Sequence, residues 1–436
     1  MADTLIEVRL EKPVAGGRSL ARVDGRIVLV GGGIPGEQVR IAVERTGKGV
    51  AFGRVVEVIE PSPDRVEPAG DPQCGGLAFA HVAYPRQLEL KRAIVEDALR
   101  RIGRFGELPE IETVASPPAG WRLRARLHVE RGRVGFFREG THTLCDAGPS
   151  AQMVSGLLET ATGLVARLRS EFAVTVEAIV VSQAVDGHET AAHLELRRPL
   201  PRHGDVWQDG GIDGLALTGV SAGLRASRHP ATLAGHPWIR ERLLTLGAAA
   251  GTAGEAILQR HAAAFFQGNR VLLPILVSHV VDAVGGEQAP VFDLYAGVGL
   301  FGIAAAAASP AVTCVEGDAI SAEDLVANAT HAGPRVQAVR GDVETFVARE
   351  GRTMTDACVV VDPPRTGLAP TVVTGLVAAR PRRVVYVSCD PATLARDLQA
   401  LVAGGLRIDR MTVFDLFPVT AHVETVVTLS AARSAV

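Results

Sequence analysis

A cysteine, Cys389, ends a run of β-formers. Arg383-Val384-Val385-Tyr386-Val387 reads as a buried strand, because β-branched and aromatic side chains suit a pleated surface. Ser388-Cys389-Asp390-Pro391 then stops the strand. Proline cannot continue a ladder, and Pro391 can open a helix at its first turn. A thiol between a strand end and a helix start sits where the helix dipole favours the thiolate, the nucleophilic form. Cys314 and Cys358 fall inside apolar strand patterns and read instead as small buried hydrophobes.

A second constellation lies upstream. Gly297-Val298-Gly299-Leu300-Phe301-Gly302 spells G-x-G-x-x-G after an expected strand and before an expected helix. Alone it indicates a nucleotide cofactor without saying which. A dinucleotide oxidoreductase and an S-adenosylmethionine methyltransferase both place glycines there. Both also place an acid at the end of the second strand, here Glu316, for ribose hydroxyls. The other strand ends discriminate. Asp293, Glu316, Asp342 and Asp362 would end the first four strands of this region. Four carboxylates suit a cationic sulfonium carrying adenosine and would repel a pyrophosphate. Any one of them, taken singly, could be an ordinary turn acid.

These residues need a parallel sheet behind them. From about residue 262 the pattern alternates strands (290–294, 312–315, 336–339, 357–361, 383–387) with helices (300–308, 321–331, 370–380, 392–403), and strands at 408–414 and 423–429 close the set. Repeated βα units imply a parallel sheet with helices on both faces. Residues 5–58 differ: five short alternating strands separated by glycine turns suggest a small barrel of the oligonucleotide-binding kind. Pro61-Ser62-Pro63-Asp64-Arg65 reads as a linker. Between the two lies a β-rich region in which residues 121–129 alternate with period two. This puts Arg122, Arg124, Arg126 and His128 on one strand face, with Gly135-Phe136-Phe137-Arg138 as the hairpin partner. Aligned arginines suit phosphate contacts, and equally an ordinary solvated face. Residues 150–260 mix patterns and offer no chemistry.

The 436-residue chain is long enough for two or three domains. With 47% hydrophobic and 21% charged residues it reads as soluble and globular, and no run of ~20 apolar residues lacks charge. Met1-Ala2-Asp3-Thr4 shows no secretory leader pattern. The five scattered cysteines argue against a disulfide framework and for a reducing, cytoplasmic setting. A net charge of −3 excludes a global pull on nucleic acid, so any such attraction must be local.

The C-terminal third resembles the RNA uracil-5-methyltransferases, which make 5-methyluridine in tRNA and 23S rRNA. The matching runs are Phe265-Phe266-Gln267-Gly268-Asn269, Asp293-Leu294-Tyr295-Ala296-Gly297-Val298-Gly299, Asp362-Pro363-Pro364-Arg365-Thr366-Gly367, Ser388-Cys389-Asp390-Pro391 and His422-Val423-Glu424. The N-terminal barrel resembles the TRAM RNA-binding module of several members. The resemblance is weakest over 150–255. It implies an α/β class I S-adenosylmethionine-dependent methyltransferase domain (Rossmann-like sheet) over 259–436, a TRAM barrel of the oligonucleotide-binding type over 1–65 and a central β-rich RNA-binding domain over 66–258. It implies Cys389 as the nucleophile adding to carbon 6 of uracil and Glu424 as the base that later removes the proton from carbon 5. It further implies that Gln267, Tyr295 and Gly297 line the cofactor pocket, that Glu316 holds the ribose and Asp342 the adenine region, and that Asp362 lies between cofactor and flipped uracil. The substrate would be 23S rRNA or tRNA, bound through Arg122, Arg124, Arg126 and the barrel by a monomer.

There is one departure. Many relatives carry four cysteines for an iron–sulfur cluster, including a C-G-G-C run. Here Cys74-Gly75-Gly76 is followed by Leu77, and Ser150 falls near where the last ligand is expected. Only Cys74 clearly remains, with Cys145 a loose candidate, so no cluster and no metal are expected. Other classes fit less well. An amino-methyltransferase would not need Cys389 or Glu424, a 5-methylcytosine enzyme usually has a second cysteine where Pro364 stands, and a non-catalytic RNA binder needs neither Cys389 nor Glu424.

Overall fold

The computed structural model describes residues 5–200, 206–208, 211–225, 227–248, 256–285 and 288–431. Met1 to Thr4, read above for a leader, lie outside these. Strands β1 (Leu5–Arg9), β2 (Lys12–Val14), β3 (Arg18–Val23), β4 (Arg26–Gly31), β5 (Gln38–Thr46) and β6 (Val50–Glu60) form one sheet in the order β1-β5-β6-β4-β3-β2. Its two edge strands are consecutive in sequence. The link between them curls the sheet, with the Glu11 amide donating to the Leu20 carbonyl at 2.7 Å. Val8, Ala21, Val28, Val30, Val39 and Ile41 fill the interior. The extra strand, β2, has three residues and contains Pro13, too short to register as alternation.

Helix α1 (Tyr84–Arg101) and strand β7 (Ile111–Val114) come next. The central sheet follows: β8 (Arg124–Glu130), β9 (Arg133–Phe137), β10 (Leu144–Cys145), β11 (Val176–Gln183), β12 (Thr190–Leu196), β13 (Gly219–Leu224) and β14 (Ala231–Gly235), in the order β10-β9-β8-β11-β12-β13-β14. Its helices are α2 (Leu157–Ala166) and α3 (Ser170–Ala173), and β15 (Trp238–Arg242) pairs with β16 (Ile257–His261) beside it. The period-two reading of 121–129 holds: Trp121, Leu123, Ala125, Leu127 and Val129 are buried, and β9 is the hairpin partner of β8.

The C-terminal region runs α4 (Leu272–Val284), β17 (Val291–Leu294), α5 (Leu300–Ala305), β18 (Val312–Glu316), α6 (Ala319–Ala332), β19 (Val336–Arg340), α7 (Val343–Glu350), β20 (Cys358–Val361), α8 (Pro370–Ala379), β21 (Arg383–Ser388), α9 (Pro391–Ala403), β22 (Leu406–Phe414) and β23 (Glu424–Ala431). The sheet order is β19-β18-β17-β20-β21-β23-β22-β7, with β17 to β21 parallel and β23 antiparallel to both neighbours. This is the expected class I methyltransferase sheet. Strand order reverses at β17, which opens a crevice at the carboxyl ends of the strands.

Two expectations are corrected. The segment 66–258 is not one unit, because β7 pairs with β22 and Val95 and Leu99 of α1 pack into the same core as Leu394 and Leu398 of α9. The boundary at 258 also falls inside β16. Lys91 of α1 and Asp415 form an ion pair at zero exposure, and the Tyr84 hydroxyl donates to the other Asp415 oxygen at 2.9 Å. Second, the cysteines are not all free: Cys74 and Cys145 form a disulfide, with Cα atoms 5.7 Å apart, that ties the loop before α1 to β10. Cys314, Cys358 and Cys389 are free. No helix among the described residues is long and apolar enough to cross a membrane.

Candidate active site

The crevice is a cavity of about 1090 Å³ between the central sheet and the carboxyl edge of the C-terminal sheet. This is at the upper end for small-molecule sites and leaves room for more than one ligand. Phe266 and Leu272 belong to one continuous core with Leu127 and Leu194 of the central sheet, so the two walls are fixed relative to each other. Asn269, at the end of the Phe265–Asn269 run, does the local fastening. Its side chain donates to Ser116 Oγ at 2.9 Å and to the Leu416 carbonyl at 3.1 Å, and its Oδ1 caps the amides that open α4.

One wall is built from the glycine loop after β17. Gly297 has φ +58, and a side chain there would point into open space. Gly299 has φ +95, and a Cβ would meet Ile303 at 2.5 Å. A Cβ on Gly302 would come within 2.5 Å of the Cys314 sulfur and 2.9 Å of Asp293, so this glycine lets α5 sit against the sheet. Tyr295 takes φ +63, a conformation costing roughly 1–2 kcal/mol for a residue with a Cβ. Its hydroxyl donates to Glu344 at 3.2 Å. Glu316, at the end of β18, accepts from the Gly297 amide at 2.7 Å and from the Asp318 amide. An acid and a Cβ-free backbone thus face one space at the switch point, flanked by Tyr295, Gln267 and Asp362. This donor set fits S-adenosylmethionine: carboxylates for a cation and ribose hydroxyls, with backbone free to approach the methionine part.

The four strand-end acids do not form the expected ring. Glu316 and Asp362 line the cavity, but Asp293 and Asp342 do not. Asp293 is fully buried beneath the glycine loop and accepts from the Gly302 amide at 2.7 Å. Burial lifts its carboxyl to about 7. Asp342 caps α7, accepting from the Thr345 amide at 2.8 Å, and that bonding holds its carboxyl low. Its backbone lies just behind Gly317, which does line the cavity.

The thiol and its neighbours make the other chemical feature. Strands β21 and β23 pair antiparallel up to Ser388 opposite Thr425, so the next positions, Cys389 and Glu424, face each other across the ladder end. Both line the cavity with Asp362 and Arg365. Glu424 is 2% exposed, and its Oε1 has no hydrogen-bond partner among the described residues. Burial, then the nearby Asp362, pushes its carboxyl well above the usual range, against the pull of Arg365. Asp362 is raised by burial and by Glu316, while a hydrogen bond from Gln267 favours its charge. The Cys389 thiol is pushed up to about 12, first by burial, then by Glu424 and Asp362, with Arg365 opposing. The sequence led us to expect a lowered thiol; burial and the neighbouring acids raise it instead. The Asp390 carboxylate accepts from the Ala392 and Thr393 amides at 3.0 and 2.9 Å, so these two amides of the first turn of α9 are not free to face the thiol.

The arginine row is only partly open. Arg124 and Arg126 line the cavity, but Arg122 does not. Arg122 bonds Gln152 at 3.1 Å, Arg126 is held by both oxygens of Glu195 at 3.0 Å, and Arg124 donates to the Ala264 carbonyl at 3.0 Å. Sequence reasoning gave no role to Phe265, which is 63% exposed at the cavity and offers a stacking face. It also passed over Arg225 and Arg228, which line the opposite wall. The signal was faint: two arginines in the turn of an otherwise apolar strand pair.

A family model described as tRNA (Uracil-5-)-methyltransferase matches residues 252–432. An uncharacterized RNA methyltransferase of Corynebacterium glutamicum is 31% identical over 440 residues, covering 97% of this chain and 96% of that protein. One of Streptomyces coelicolor is 33% identical over 448 residues, covering 96% and 92%. Among solved structures, the tRNA (uracil-54, C5)-methyltransferase of Pyrococcus abyssi in complex with S-adenosyl-L-homocysteine aligns with TM-score 0.70 and 25% identity, over 97% of this chain and all of that one.

Proposed function

The chain belongs to the RNA (uracil-5-)-methyltransferase family and is an S-adenosylmethionine-dependent RNA methyltransferase, and on that premise we propose that it methylates carbon 5 of one uridine in rRNA or tRNA through a covalent adduct with Cys389. The observation that carries this reading is the register that sets Cys389 opposite Glu424 in the same cavity as Glu316, Gly297 and Asp362.

Carbon 5 of uracil is a weak nucleophile. Cys389 adds to carbon 6 as its thiolate, the thiol proton having passed to solvent, and the ring's double-bond electrons move towards carbon 5 and oxygen 4, giving an enolate. When bound, the cofactor supplies an electrophilic methyl on a cationic sulfonium. Once carbon 5 carries the methyl, its proton passes to the Glu424 carboxylate. The electron pair re-forms the carbon 5–carbon 6 double bond, and the sulfur leaves as thiolate. A buried carboxylate with a raised pKa is a stronger base than an exposed one, which suits Glu424 to this step. Gln267, Tyr295, Gly297, Glu316 and Asp362 would hold the cofactor, and Asp342 would support the adenine end from behind Gly317. A base in folded RNA must leave its stack to enter, at a cost of roughly a few kcal/mol. We assign residues 1–65 as a TRAM-type RNA-binding barrel that helps to offset this.

The test is methyl label from S-adenosylmethionine in RNA transcripts, followed by digestion to nucleosides. Label is expected in 5-methyluridine. Cys389→Ala should abolish transfer while still binding S-adenosylhomocysteine. Glu424→Gln should turn over slowly and accumulate a denaturation-stable protein–RNA complex. Label on another atom, or undiminished turnover by Cys389→Ala, overturns the proposal.

A further inference from the structure

The cavity has walls of opposite sign. The central-sheet side presents Arg124, Arg126, Arg225 and Arg228 against one carboxylate, Glu195. The methyltransferase side presents Glu316, Asp318, Asp362 and Glu424 against one guanidinium, Arg365. A cleft so divided sorts its ligands by charge, with a sulfonium on the acidic wall and an anion on the basic one.

The basic wall has unspent capacity. Glu195 is hydrogen-bonded by Arg126, and Arg225 meets it only through a weaker through-space attraction. Arg225 and Arg228 are exposed and make no side-chain hydrogen bond or ion pair among the described residues. Arg124 is half-buried at the cavity, and its Nε has no partner. The turn between β13 and β14 is also anchored across the cleft: His229 Nδ1 lies 3.3 Å from Glu323 of α6. The chain leading into α6, from Glu316 to Ser321, lines the same cavity. Two free guanidinium groups are thus presented over a cavity that ends at Cys389.

We infer that Arg225 and Arg228 bind phosphates of the RNA strand next to the nucleotide whose base enters the cavity, and so position that nucleotide. This rests on the reading of the protein as an RNA uracil methyltransferase. Planar guanidinium forks match phosphate oxygens, and such contacts fix register without reading sequence. A base stacked on Phe265 would then lie between the phosphate-binding arginines and the thiol.

The test uses the full-length chain, saturated with S-adenosylhomocysteine, and filter binding of a single-stranded RNA oligonucleotide across a salt series. Removing two phosphate contacts should flatten the slope of log K against log salt by about 1.4, at about 0.7 per contact on a single strand. At 0.1 M salt this is a loss of about 25-fold in affinity. Arg225→Ala/Arg228→Ala should show both changes, with its affinity for S-adenosylhomocysteine at the wild-type value. Arg225→Lys/Arg228→Lys should recover most of the slope. An unchanged slope in the alanine pair overturns the inference, even if the wild type makes 5-methyluridine. An altered slope together with label on an atom other than uracil carbon 5 sustains the inference and overturns the wider reading. A wild type that binds no RNA overturns both.

Discussion

The state of the Cys389 thiol can be measured without substrate. Burial, Glu424 and Asp362 lift it from an ordinary 9.0 to about 12. At pH 7.5 a thiol of pKa 9 is about 3% thiolate and one of pKa 12 about 0.003%, ~1000-fold less. A more basic thiolate is intrinsically more nucleophilic, and a Brønsted coefficient of 0.4–0.5 returns roughly 20-fold over three pKa units. Alkylation of Cys389 by iodoacetamide, followed by mass spectrometry of its peptide, should therefore run about 50-fold slower than for a free thiol. The rate should rise about tenfold per pH unit and show no plateau up to pH 10. Cys314 and Cys358, buried in strands, should stay unlabelled in the native protein. Glu424→Gln should speed the reaction several-fold. The gain should grow as pH rises, because the Glu424 carboxyl ionises only above the usual range and repels a thiolate only when ionised. A plateau with its midpoint at or below pH 8 would refute the reasoning and restore the helix dipole as the dominant influence.

Lys91→Met should destabilise the fold by about 3–5 kcal/mol, because it strands a buried Asp415 carboxylate, and adding Asp415→Leu should recover much of that loss; an unchanged melting temperature in the single variant would count against this. After anaerobic purification the protein should hold neither stoichiometric iron nor acid-labile sulfide, since Leu77 and Ser150 cannot supply thiolates and Cys74 and Cys145 are bonded to each other. Thiol counting after denaturation should give three groups without reductant and five with it; about four irons per chain would overturn both expectations.

The parallel sheet was legible because each of its strands is a short apolar run between helical segments. β20, Cys358 to Val361, is a mostly β-branched run buried at every position, as a strand covered on both faces requires. Helices α4 and α7 were passed over for different reasons. Helix α4 opens on an apolar run, Leu272 to Val277, which reads equally as a buried strand, and its polar residues Ser278, His279 and Asp282 come only in its second half. Helix α7 has eight residues and is signalled mainly by its Asp342 cap, which the sequence offered equally as a ligand. The strand pairing of β7 with β22 joins residues some 300 positions apart, and no local pattern encodes it.

The same limit applies to charge at the site. Residue types pointed to Cys389 as the candidate nucleophile, and spacing put it at a strand end. The thiol's pKa shift comes first from burial and then from carboxylates delivered by β20 and β23. A helix N-terminus favours an anion only through N–H groups that remain free. Here the residue after the cysteine is itself the cap, so those amides are taken by the Asp390 carboxylate, and the thiol lies buried among acids. Such a thiol rests protonated and unreactive. On the proposed mechanism, a cation entering among Asp362 and Glu424, such as a sulfonium, would offset those acids and favour the thiolate. On that proposal the acidic wall that would hold the cofactor also adds, after burial, to keeping the thiol protonated in its absence.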